Sequence, residues 1–189
     1  MCGRYWIAPE EENLEYIELL RVLQKSDTDI KIPSGLIVPT LPAPAITQQG
    51  IVFMQFGLRK EFLPRVLINA RAETITEKPM FKKLFHQGQR CLLPASAFYE
   101  PSPDKKGRMY KRSDRGMMFM AGLYEKVGGL PQFVIITRDA DEVVSPSHHR
   151  MPLLLGNAEL RKIWLSNEVL AASLLQLDVR SDLLEMPAK

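Results

Sequence analysis

Between residues 50 and 137 most apolar residues fall into short runs broken by charge, proline or glycine, and these runs limit most of this stretch to short extended elements. The runs at 51–56, 66–68, 91–93, 117–123 and 133–137 are too brief for packed helices and suit strands. Arg59-Lys60-Glu61 separates the first two, and Asp104-Lys105-Lys106-Gly107 reads as an exposed turn. Residues 26–50, rich in Pro, Thr, Ser and Gly, read as loops around a short strand at Leu36-Ile37-Val38. Helical spacing appears in four places. Pro9 and Glu10-Glu11-Glu12 precede Leu14, Ile17 and Leu20; Pro79 opens a second helix that presents Met80, Phe81, Leu84 and Phe85 and stops at Gly88. Asn157 caps a third helix running to Trp164, and 168–175 forms a fourth. Strands and helices do not alternate regularly. The expected fold class is α+β: a single domain over 1–189, with a largely antiparallel, barrel-like β-sheet and flanking helices.

A chain of 189 residues, 46% hydrophobic, can bury a core of its own. It has no uncharged apolar stretch long enough to span a bilayer and no secretory signal pattern at its start, so the expectation is a cytoplasmic protein without membrane contact. Two cysteines and three histidines make neither a disulfide framework nor a zinc-ligand pattern, and no metal or cofactor is expected. Charge is unevenly spread. Residues 31–115 hold fifteen Lys and Arg against six Asp and Glu, while both flanks are net acidic. A basic middle suits a phosphate backbone, although a solvated lysine-rich surface would look the same.

Cys2 becomes the N-terminal residue once Met1 is removed. A free α-amine has a reference pKa of about 7.7–8.0 and a cysteine thiol about 8.5, so both groups are close to their nucleophilic forms near neutral pH. Together they form a 1,2-aminothiol. The amine condenses with an aldehyde to an imine, and the sulfur then closes a five-membered thiazolidine. A ring-opened abasic deoxyribose offers such an aldehyde.

Three polar islands lie in apolar surroundings. In Asn69-Ala70-Arg71-Ala72-Glu73-Thr74, the asparagine can hydrogen-bond a sugar hydroxyl or a reacting amine, and Arg71 can grip phosphate. Glu100 ends the run Arg90 to Glu100, where partial desolvation would raise its pKa into the acid–base range. Cys91 in that run reads as a buried core residue. Ser147-His148-His149-Arg150-Met151-Pro152 supplies histidine, the usual proton shuttle near neutral pH.

Taken together, these segments resemble the SRAP family (SOS-response-associated peptidase), the abasic-site processing proteins. The resemblance is carried by Met1-Cys2-Gly3-Arg4, Asn69 to Thr74, Glu77-Lys78-Pro79-x-Phe81, Arg90-Cys91-Leu92-x-Pro94-Ala95 and Phe98-Tyr99-Glu100. Ala121-Gly122-Leu123, Ile135-Ile136-Thr137 and His148-x-Arg150-Met151-Pro152 continue it in family order. It implies covalent capture of abasic sites in single-stranded DNA by a monomeric protein. Cys2 would be the nucleophile, Asn69 would position the opened sugar, Glu100 would be the acid–base partner of the Cys2 amine, and His148, rather than His149, would shuttle protons. Arg4, Arg71, Lys82 and Lys83 would meet DNA phosphates. Phe56, standing where the family has Trp in Trp-Gly-Leu, would stack on a base. Pro101 stands where the family has Trp after the glutamate, so the stacking set is thinner than the catalytic set.

Other readings use the same residues differently. An N-terminal-nucleophile amidohydrolase would also begin Met-Cys-Gly and use its own α-amine as base. A self-cleaving peptidase would use Cys2 too. A plain single-strand-binding module would account for the basic middle and leave Cys2 without a role.

Overall fold

A computed structural model describes residues 2–7, 35–104, 106–126, 128–177 and 182–188. The strands are β1 (Arg4–Ile7), β2 (Gly35–Ile37), β3 (Pro42–Thr47), β4 (Gly50–Phe56), β5 (Asn69–Arg71) and β6 (Arg90–Ala95). They continue with β7 (Ala97–Glu100), β8 (Arg108–Arg112), β9 (Met118–Glu125), β10 (Gln132–Asp139), β11 (Arg150–Pro152) and β12 (Leu183–Pro187). Three helices are α1 (Pro79–His86), α2 (Ala158–Ser166) and α3 (Glu168–Leu174). The helix expected from Pro9 lies outside the described residues.

Five strands form one antiparallel sheet in the order β12-β8-β7-β1-β2. The others make a ring-like but not closed barrel through β10, β4, β3, β6 and β9. Its seams are narrow. β3 meets β6 at Ile46↔Leu92, and β4 meets β10 through two pairs running parallel. β5 then takes up the parallel edge of β10 that β4 leaves, pairing Asn69 with Ile135 and Arg71 with Thr137. The chain turns away between them at Gly57, whose φ is +101° and where a Cβ would lie 2.2 Å from Val66 Cγ1. Only glycine fits that turn.

Strands β6, β9 and β10 are buried almost throughout, because one face lines the ring and helices cover the other. Helix α1 packs against β9, and α2 against β6. Arg90, which opens β6, is buried and fastens both helices by their ends. Its Nε donates to Trp164 O (2.6 Å) and its Nη1 to Phe85 O (2.7 Å), a cation serving the carbonyls at two helix C-termini. Trp164 in turn donates from Nε1 to Cys91 O (2.9 Å), and Cys91 is fully buried as expected.

The α+β class, the second helix and its stop before Gly88 (φ +69°), and the Asn157 cap on Leu160 N all match expectation. Two local readings change. The strand expected at 66–68 begins instead at Asn69, with Leu67 held only by a bridge to Leu58. The stretch expected to be mostly loop contains β3, despite Pro42 and Pro44. β3 is paired along β4 but touches β6 at one residue, so the missing proline N–H groups cost few ladder bonds.

Candidate functional site

The β1–β7 register sets Arg4 opposite Tyr99 and Tyr5 opposite Phe98. Extending it by one pair brings Gly3, just before β1, against Glu100, the last residue of β7. Cys2 is fully buried there, its Sγ 3.8 Å from Arg4 O. Burial pushes the Cys2 thiol well above its ordinary value, and the nearby Glu100 carboxylate adds to the effect.

Asn69 comes from the opposite sheet. As the first residue of β5 it is fixed beside β10, and its Nδ2 donates to Cys2 O at 3.0 Å, with Ile135 O 3.5 Å away. Its Oδ1 is buried and accepts no hydrogen bond from the described residues. Glu100 is also fully buried, and burial pushes its carboxyl up to about 7. His148 precedes β11 and places Nδ1 3.9 Å from Glu100 Oε2. That nitrogen lies 3.0 Å from Arg150 N and 3.2 Å from Arg150 O. A neutral ring therefore accepts from the amide, and a charged one donates to the carbonyl. Burial holds His148 below the usual imidazole value, with a smaller push from the charge of His149 and against the hydrogen bond to Arg150 O, which favours the charged ring. His149 stacks on it with ring centroids 4.4 Å apart. The result is a carboxyl that titrates near neutrality beside an imidazole that is mostly neutral there, a pair able to give and take one proton.

Four expected residues thus meet: Cys2, Asn69, Glu100 and His148. Arg4 is exposed on β1 two positions from Cys2, its guanidinium 5.2 Å from the Tyr99 ring centroid. Arg71 is exposed at the end of β5, while Lys82 and Lys83 are exposed on α1 and are not joined to the four by this geometry. Phe56 is a correction. It is fully buried, stacked on Phe133 (5.1 Å) and edge-on to Tyr5 (5.9 Å), so it is a core ring whose faces are taken and it offers none to a base. Among the described residues no group of three His, Cys, Asp or Glu could hold a metal ion, and no helix is long and apolar enough to cross a membrane.

Comparison with known proteins gives the arrangement its family. The description "SOS response associated peptidase (SRAP)" matches residues 1–186. The chain belongs to the SRAP family. It is 31% identical over 185 residues to the abasic site processing protein YoaM of Bacillus subtilis, covering 88% of this chain and 79% of that one. It is 33% identical over 184 residues to YoqW of Bacillus phage SPbeta, covering 88% and 80%. Chicken HMCES is 33% identical over 124 residues, 51% of this chain and 37% of its own. A solved protein from Bordetella bronchiseptica shares the fold with a TM-score of 0.78 at 21% identity, each chain covered in full.

Two features of this SRAP chain were not assigned from sequence. Arg150 is buried and binds Glu73 (2.7 and 2.9 Å), Asp139 (2.6 Å) and Thr137 O (2.6 Å). It ties the turn after Asn69 to β10 and to the His148 segment. The signal was present, since Glu73 and Arg150 sit in two of the polar islands, but nothing in the sequence pairs them. Arg150→Met is expected to cost about 2–4 kcal/mol in urea unfolding, because Thr137 O loses its donor inside the protein while Glu73 and Asp139 can return to water. The second feature is Phe62, 76% exposed in the loop leading to β5, next to exposed Glu61 and with exposed Arg59 and Arg65 in the same loop, while Lys60 is paired with Glu125.

Proposed function

We propose that this SRAP protein captures abasic sites in single-stranded DNA, bonding the sugar aldehyde to the amine and thiol of Cys2 after Met1 is removed. What carries the reading is the meeting of an N-terminal cysteine with a buried carboxyl that ionises at about 7. Relatives named as abasic site processing proteins point to the same substrate.

Arg4 and Arg71 hold the backbone, in an association that weakens as salt rises. The Cys2 amine adds to the C1 aldehyde of the opened sugar, giving a carbinolamine. Glu100 in its protonated form donates to the departing hydroxyl, and water leaves as the protonated imine forms. The Cys2 sulfur then adds to the imine carbon. Its proton, held on the thiol by burial, passes to the Glu100 carboxylate or neutral His148, and the thiazolidine closes. Asn69 keeps the Cys2 carbonyl in place through Nδ2, and its unsatisfied Oδ1 accepts from a sugar hydroxyl or the amine. An abasic sugar carries no base, so no flipping cost is added.

Phe62 supplies the stacking ring that Phe56 cannot. Phe62→Ala should weaken binding of single-stranded DNA about tenfold, as measured by fluorescence anisotropy, since one base–aromatic stack contributes about 1–3 kcal/mol. An unchanged affinity would remove Phe62 from the binding surface. The reading as a whole is tested on a denaturing gel with labelled single-stranded DNA carrying one abasic site and no borohydride. A heat-stable shifted band, absent with intact DNA, is expected; no band from protein that has lost Met1 would contradict it.

A further inference from the structure

Arg4 and Trp6 face outward from β1 while Tyr5 and Ile7 face the core. Directly paired residues share a face, so the register traces one row as Arg4, Tyr99, Met109 and Met186 across β1, β7, β8 and β12. A second row runs Leu36, Trp6 and Ala97 across β2, β1 and β7, and on β8 and β12 it is continued by Lys111 and Leu184. Trp6 is 37% exposed, Leu36 40%, Leu184 47% and Met186 36%. Ala97, buried between Trp6 and Lys111, sets them on either side of it. The two rows hold two cations and no carboxylate, and they span four interstrand spacings, roughly 19 Å. A sheet face whose two rows are apolar and aromatic, with cations and no carboxylate among their residues, has the chemistry of a single-strand nucleic-acid platform, where bases stack on rings and phosphates meet cations. It is also continuous with the proposed capture site, since Arg4 belongs to both.

We infer that the outer face of the five-stranded sheet is a second track for single-stranded DNA, on which bases flanking the captured sugar stack against Trp6 while Lys111 meets a phosphate. This rests on the capture reading for its direction but is measured without it. The chain has two tryptophans, and Trp164 is fully buried, so fluorescence quenching by DNA reports on Trp6.

The probe is undamaged single-stranded oligo(dT) of about fifteen nucleotides, long enough to cross the whole face. Saturable quenching is expected in the wild type and none in Trp6→Phe. Trp6→Ala and Lys111→Glu should each weaken binding of that oligonucleotide about tenfold. Both should crosslink a short abasic oligonucleotide at the wild-type rate, which also shows that they fold. Quenching without any abasic crosslink would support the track and count against capture. Crosslinking without quenching, or unchanged affinity in both variants, would overturn the track and leave capture standing. Sedimentation showing a dimer that Trp6→Glu dissociates, with no quenching, would assign the face to a second copy of the chain and also overturn it.

Discussion

Cys2→Ala protein that has lost Met1 should form no heat-stable crosslink with abasic single-stranded DNA. The variant keeps a free α-amine, so an imine still forms and still hydrolyses. It lacks the sulfur that closes onto the imine carbon, and ring closure is the step that makes the adduct survive heating. Borohydride should therefore trap a product from Cys2→Ala, while omitting borohydride should leave none. The two lanes separate the roles of amine and thiol. A stable adduct in the untreated lane would mean that another group bonds the sugar, and the account of Cys2 would fail.

Glu100→Gln should slow crosslinking about 100- to 10,000-fold, the usual cost of removing a positioned acid–base group. The same variant should be more stable than wild type above neutral pH. Glu100 ionises at about 7 in the folded protein against 4.5 for an ordinary glutamate. Below pH 4.5 both states are protonated and the group has no effect. As pH rises, the unfolded chain releases the proton first, so stability falls until the folded carboxyl has ionised too. The loss is about 3 kcal/mol across that window and is complete above pH 8. Urea melts at pH 5 and pH 8 should show this slope in wild type and a flatter one in Glu100→Gln. Equal slopes would mean that the carboxyl is not held in its neutral form, and the proton donor of the imine step would be lost with it.

The identity of the chemistry could be read from the chain more fully than its support. Asn69, Glu100 and His148 lie in three polar islands and Cys2 is marked by its place after Met1, and all four take a place in one cluster. The buried state of Glu100 could be anticipated because it ends an apolar run, whereas the clamp on Arg150 depends on strands far apart in sequence. Phe56 was misread because a ring next to Gly57 looks the same whether it faces solvent or Phe133, and only the close approach of β4 to β10 decides it. β8 and β12 were hidden for a similar reason. Arg108–Arg112 is too polar to mark a strand, and it is held as one by pairing with β7 and β12. Elements whose own pattern buries a face were legible, and those recruited by a neighbour were not.

Intact-mass spectrometry on the product of protein lacking Met1 and single-stranded DNA with one abasic site tests the central claim most directly. Imine formation expels one water and thiazolidine closure expels nothing further, so the adduct should weigh the sum of protein and DNA less one water. Peptide mapping should place it on Cys2, and protein that keeps Met1 should give no adduct. An adduct on any other residue, or an equal yield from protein that retains Met1, would contradict capture through the N-terminal aminothiol.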